Sequence, residues 1–231
     1  MKVTLIRMTQ DAVNAIETAA SNCYDSEPTD GKIMNGCYNS THHSVLEFAD
    51  VHFKVEGISR VCANQLLRHR TGKFEQRSQR YCGESGFEYV TPPSIKGNIQ
   101  TNKFFEEIIH KIRDYYDYLV DMGVPNEDAR YVLPNACDTV IDVKFDIRNF
   151  IHLCNERLCT RAQWEIREVV KEMVRLVVEQ EPKFKPYLVP KCEIYTGCPF
   201  CVEAKSCGRH PKLKDVYKIY EENKNKEKEA N

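Results

Sequence analysis

The chain lacks any apolar run near the ~20 residues that a membrane-spanning helix requires. It also lacks a basic excess: 33 Lys and Arg face 34 Asp and Glu, for a formal net charge of −1. A general nucleic-acid binder carries a broad positive surplus, so neither a membrane nor a nucleic acid is the expected partner. The opening stretch MKVTLIRMTQDAV has too short an apolar core for a signal peptide and reads as a strand leading into a helix. Without an export signal, the 11 cysteines, several at apolar positions such as Cys62, Cys137, Cys154 and Cys159, read as reduced thiols of a cytoplasmic protein. Internal repeats are absent. With 231 residues, 42% hydrophobic and 29% charged, the chain can bury a full core as one domain, or as one domain with an appendage.

Periodicity predicts an α+β fold. Val3 to Ile6 reads as a strand, and Thr9 as the N-cap of a helix running to about Cys23. Residues 48 to 55 alternate between polar and apolar, the period of a half-buried strand, with Gly57 expected to end it. A helix follows through Leu66. Strands are then expected at Ser78 to Cys82 and near Phe87 to Val90, with an amphipathic helix from Phe104 to Leu119 stopped near Gly123. Pro125 to Leu133 reads as a short helix ended by Pro134. From Phe145 to Val178 apolar residues keep helical spacing with no Pro or Gly, so one long helix or two abutting ones are expected. The end, Tyr217 to Asn231, reads as a charged helix fraying into a disordered tail.

Between these elements lies RHRTGKFEQRSQRY, residues 68 to 81, with five cationic side chains (Arg68, Arg70, Lys73, Arg77 and Arg80) and His69 in fourteen positions. Guanidinium groups this crowded repel one another unless an anion sits among them, and their planar forks suit phosphate. The competing reading is a solvated basic face, favoured in part by the helix dipole at the end of the preceding helix.

Four segments together resemble the flavin-dependent thymidylate synthases. Arg68-His69-Arg70 followed after seven residues by Ser78, Arg80 and Tyr81 is similar to the family signature. His42-His43-Ser44-Val45-Leu46-Glu47 is similar to its histidine-rich segment, Arg130 to Pro134 to its ARxxLP element, and Arg157 to Arg167 to its RxxxxAQWEIR helix. The order and spacing match across about two-thirds of the chain.

The resemblance implies a ThyX-type fold, a central antiparallel or mixed sheet flanked by long helices and assembled as a homotetramer with active sites shared between subunits. It implies a catalytic domain over residues 1–190, followed by a Cys-rich appendage and charged tail over 191–231. It further implies reductive methylation of dUMP, with 5,10-methylenetetrahydrofolate as carbon donor, FAD as redox carrier and NADPH as reductant. Gln65, Leu66, Leu67, Arg68, Gln76, Arg77, Ser78, Gln79 and Arg80 would line the dUMP site, with Arg130 supplied by another subunit. Arg157 would be the catalytic residue, a cation beside the uracil that stabilises the deprotonated ring. Its proton affinity is too high for a base, so its role is electrostatic. Ser44, Arg68, His69, Arg70, Gln76, Asp146, Ile147, Arg148 and His152 would hold FAD, and His42 would lie near flavin and folate.

Read as residues alone, Ser78 could be a nucleophile, but no base stands beside it in sequence and a phosphate ligand fits better. Arg157, Arg161 and Glu165, spaced by four, also suit an exposed ion-pair ladder. Lys73 and Glu75 depart from the family signature, which carries Ser and Asn there, and Asp146 stands where many relatives carry Asn. These departures leave open an alternative: a non-catalytic nucleotide-binding or zinc-stabilised interaction protein on the same fold. Near the C-terminus, Cys192, Cys198, Cys201 and Cys207, with His210, have the spacing of ligands for a structural zinc. Plain reduced cysteines or a redox-sensitive pair are the alternatives.

Overall fold

The computed structural model describes residues 1–194 and 197–229. Strand β1 (Lys2–Met8) leads into α1 (Ala12–Tyr24) and α2 (Lys32–Asn39), and a 3-10 turn at His43–Phe48 precedes β2 (Asp50–Ser59). Then come α3 (Arg60–Leu66), β3 (Lys73–Gln76), α4 (Pro93–Lys96), α5 (Ile99–Asp121) and α6 (Asn126–Ala129), with a 3-10 turn at Arg130–Val132. Strand β4 (Asp138–Asp146), α7 (Ile147–Arg157), α8 (Trp164–Gln180) and α9 (Leu213–Glu229) complete the series. Residues 195–196 of the expected appendage and 230–231 of the expected tail lie outside the described residues.

The chain forms two compact units, one from Met1–Arg7 and His52–Phe145, the other from Met8–Val51 and Asp146–Asn231. The first holds a four-stranded sheet in the order β1-β2-β4-β3, in which β3 runs antiparallel to β4 with Lys73 opposite Lys144 and Gln76 opposite Ile141. Phe53, Val55, Thr139, Ile141, Val143 and Phe145 are buried at alternate positions, leaving His52, Lys54, Asp142 and Lys144 partly exposed between them. Each buried aliphatic or aromatic side chain contributes about 1.5–3 kcal/mol. Phe74 meets Phe145 edge-on at 5.6 Å. A second cluster gathers Phe87, Ile109 and Cys137 with Tyr89, Phe105 and Leu133.

In the second unit α1 packs on α2 and on the turn His43–Phe48, and α7 packs on the same turn and on α8. Its core includes Ile16, Ala20, Ile147, Phe150, Leu153, Ile166, Val169, Met173 and Val177. The buried Glu17 accepts backbone N–H bonds from Thr29 at 2.5 Å, Gly31 at 2.8 Å and Met34 at 3.2 Å, pinning the start of α2.

Several sequence expectations are corrected. Thr9 does not cap α1. Its hydroxyl accepts from the Asp50 N–H at 2.9 Å, and the helix begins after Asp11 with no side-chain cap. Gly57 does not end β2, because at φ +67 it carries the strand through to Ser59. The strand expected at Ser78 to Cys82 is a turn, closed by the Cys82 N–H on the Ser78 carbonyl at 2.9 Å, and the β residues lie earlier, at Lys73–Gln76. Near Phe87 to Val90 only a single bridge forms, Tyr89 to Cys137. Strand β4 was not anticipated. Of the two readings of residues 145–178, two helices form, α7 and α8, but residues 158–163 separate them, so Arg157, Arg161 and Glu165 do not form a ladder on one helix.

Candidate active site

In the first unit the strand-to-helix step is set by Ser59, whose hydroxyl accepts from the Cys62 N–H at 3.1 Å and starts α3. Behind α3 the RHR triplet turns sharply: the His69 N–H bonds to the Leu66 carbonyl at 3.0 Å, and the Gly72 N–H to the His69 carbonyl at 2.9 Å. His69 is thereby buried while Arg68 and Arg70 face solvent on either side of it. Gly72 is required by space: a Cβ there would lie 2.4 Å from Phe145 and 2.7 Å from Phe74. Leu66 is fully buried and offers a ligand no surface, whereas Leu67 is exposed. Gln65 and Ser78 are partly exposed.

The turn after β3 collects guanidinium groups. Arg77 donates to Glu84 at 3.1 Å and to the Gly83 carbonyl at 3.3 Å, and the Glu84 contact raises its pKa. Arg80 donates through Nε to Glu127 at 2.6 Å, an exposed pair, and its backbone N–H donates to the Ser78 hydroxyl at 3.3 Å. Arg130 donates to the Glu127 carbonyl at 3.0 Å, so Arg80 and Arg130 meet around one residue of α6.

A residue that sequence reasoning missed joins this group. Arg60, first in α3, donates to the Arg77 carbonyl and to the Thr139 hydroxyl, each at 3.3 Å, and Gln76 reaches the same hydroxyl at 3.4 Å. Burial, reinforced by the Arg130 guanidinium, pulls the Arg60 pKa below the ordinary arginine value. No motif contained Arg60; its helix-start position beside the arginine-rich turn is decided by strand pairing. Gln79 reaches the Cys137 sulfur at 3.7 Å. Burial and the carboxylates of Glu84 and Asp138 push the Cys137 thiol up to about 12, so it stays protonated.

In the second unit, Asp146 ends β4 and caps α7, accepting from the Asn149 N–H at 2.8 Å and from its side-chain amide at 2.7 Å. Both carboxylate oxygens therefore already serve the helix start. Ile147 is buried, and its N–H bonds to the Ala49 carbonyl at 2.9 Å. Arg148 and His152, one turn apart, are exposed, and Arg148 donates to Glu47 at 2.6 Å. Glu47 shares the turn His43–Phe48 with the exposed Ser44, so Ser44, Arg148 and His152 border one another's elements. His42 is exposed just before this turn. This donor set of hydroxyl, guanidinium and imidazole suits an anionic dinucleotide.

Arg157 is the last residue of α7 and is half-buried. The loop behind it is held by its own sequence. Gln163 caps α8 by accepting from Glu165 and Ile166 at 3.0 and 3.2 Å, and Arg167 donates to the Thr160 carbonyl at 3.0 Å. The AQWEIR segment thus fixes the loop that follows Arg157. Of the C-terminal cysteines, Cys192, Cys201 and Cys207 line one small cavity with His210, while Cys198 is exposed outside it. Among the described residues no helix is long and apolar enough to cross a membrane.

A family model described as thymidylate synthase complementing protein matches residues 4–183. A flavin-dependent thymidylate synthase of Geobacter sulfurreducens is 38% identical over 94% of this chain and 98% of its own length. Similar enzymes of Clostridium tetani (32% identical, 94% and 97% covered) and Pyrococcus furiosus (34%, 86% and 89%) share the same name. The chain belongs to the family of flavin-dependent thymidylate synthases.

Proposed function

We propose that the protein converts dUMP to dTMP, with 5,10-methylenetetrahydrofolate as carbon donor and FAD, reduced by NADPH, as hydride source. The observation that carries this reading is the exposed turn at 78–82. Its Arg80 guanidinium lies over the Tyr81 ring and is paired with an exposed carboxylate, Glu127, which a phosphate dianion can replace. An exposed pair of this kind contributes about 0–1 kcal/mol, so the exchange costs little. Arg77, fixed by Glu84, and Arg60, fixed by Thr139, keep further positive charge at the turn without moving.

When bound, FAD supplies the hydride that completes the methyl group. In the second unit Arg148, His152 and Ser44 would hold its anionic and polar groups, and Arg68 and Arg70 of the first unit are the further donors that the family signature assigns to it. Arg157 sits against the uracil and stabilises negative charge on the ring, which makes C5 more nucleophilic. The protein acts as a homotetramer with active sites shared between subunits, and Arg130, which meets Arg80 around Glu127 within one chain, would reach the nucleotide together with it. Helix α5 supports such assembly, since Phe104, Ile108, Tyr115, Tyr118 and Met122 form an exposed apolar stripe along it. The catalytic domain spans 1–190, with 191–231 as an appendage.

The purified protein is expected to be yellow with flavin absorbance and to oxidise NADPH while forming thymidylate from dUMP. Arg157→Ala is expected to keep fold and flavin but lose most turnover; full activity in that variant would remove Arg157 from the catalytic role. Colourless protein that binds dUMP without forming thymidylate would favour the non-catalytic reading.

A further inference from the structure

The segment after Pro190 has little regular structure to hold it. Between Lys191 and Lys212 the described residues form one 3-10 turn, Lys191–Glu193, and one isolated bridge, Cys201 to Lys212. Yet this segment closes around a cavity of about 10 Å³, lined by Cys192, Cys201, Cys207 and His210, together with Cys159 from the loop behind Arg157. That space admits a single water-sized particle, which excludes an organic ligand or an iron–sulfur cluster and leaves an ion or a water.

The donors converge. The Cys192 sulfur, a Glu193 carboxylate oxygen and a His210 ring nitrogen all lie within 4.8 Å of one another. In a tetrahedral zinc site, bond lengths of about 2.0–2.3 Å put neighbouring donors about 3.5–3.8 Å apart, so Cys192 and His210 already stand near ligand spacing, with Cys201 and Cys207 on the wall of the same cavity. Glu193 stands 3.1 Å from His210 Nε2 and 2.7 Å from Arg209. It is therefore engaged as the carboxylate that orients the imidazole, leaving Nδ1 for a metal.

Cys207 is presented in a compatible way. Gly208 follows it at φ +84, and the Arg209 backbone N–H and the Thr160 hydroxyl donate to its sulfur. The Cys201 N–H bonds to the Pro211 carbonyl at 2.7 Å, which holds the Cys201 strand beside the residue following His210. Lys191 and Arg209 on the cavity wall offset the negative charge of several thiolates.

We infer that this cavity is a structural Zn²⁺ site, with Cys192, Cys201, Cys207 and His210 as ligands, that staples the C-terminal segment to itself beside the loop carrying Cys159. On binding, the three thiols release their protons to water, and no electron is transferred. The set replaces the sequence-expected Cys198 with His210.

The test is metal analysis of the full-length protein purified without chelator and with a phosphine reductant. One zinc per chain is expected, released by a mercurial thiol reagent and read with a colorimetric zinc indicator. Cys192→Ser and His210→Ala are expected to fall below about a tenth of that content, His210→Cys to restore it, and Cys198→Ser to keep it. Zinc-free wild-type protein, iron with acid-labile sulfide, or a disulfide among these cysteines would overturn the site, and the wild-type result stands even if a variant fails to fold. Equal loss in Cys198→Ser would overturn the ligand set. Metal content is read without turnover, so failure here leaves the proposed reaction untouched.

Discussion

Replacing Glu17 by Gln should destabilise the second unit by an amount its hydrogen bonds define. One carboxylate oxygen accepts from the Gly31 and Met34 N–H groups, and the other accepts from the Thr29 N–H at 2.5 Å. A carboxamide offers a single oxygen, so at least one buried N–H would face an NH₂ group. Losing one charge-assisted bond and leaving its donor unsatisfied costs about 3 kcal/mol. For a chain of this size each kcal/mol shifts Tm by about 2–4 °C, so a drop of about 6–12 °C is expected in thermal unfolding at pH 7.

The pH dependence gives a second handle. Burial alone would raise the Glu17 pKa, but the backbone bonds from Gly31, Met34 and Thr29 outweigh it and hold it below the ordinary 4.5. A depressed folded pKa contributes stability above the unfolded pKa and loses it as pH falls through the folded one. The gap between wild type and Glu17→Gln should therefore narrow below about pH 4.5. Equal Tm values at pH 7, or a gap that widens on acidification, would refute the reasoning.

Gly72→Ala should destabilise strongly, since its Cβ falls 2.4 Å from Phe145; urea unfolding should show a loss of about 1–3 kcal/mol or more. Arg80→Ala should raise the KM for dUMP about 10–100-fold with a smaller change in kcat, because a phosphate contact acts alike in ground and transition states. Steady-state kinetics check this, and an unchanged KM counts against a phosphate role. Cys137, fully buried with its thiol pushed up to about 12, should resist a disulfide reagent at pH 8 until the protein is unfolded, as peptide mapping of the labelled thiols would show.

Local patterns carried much of the fold. The alternation at 48–55 located β2 and its buried face, and the apolar spacing from Phe104 to Leu119 located α5, because these periods follow from how one strand or helix meets a core. The same alternation runs through Thr139, Ile141, Val143 and Phe145, yet Phe145 also suits the helical period that follows, and β4 was lost in that overlap. The 78–82 segment has strand-like residues but becomes a turn, since β3 ends its pairing with β4 at Gln76.

The sequence alone sufficed for the family, because four motifs in fixed order carry that information without coordinates. It also sufficed for the RHR cluster, although not for the inward turn that buries His69 between two exposed arginines. Only tertiary structure decided that Arg60 joins Arg77, that Glu17 holds the start of α2, and that Cys159 faces the same cavity as Cys192, Cys201 and Cys207. Residues so far apart in the chain are brought together by strand pairing and core packing, and neither leaves a periodic trace at the positions it joins.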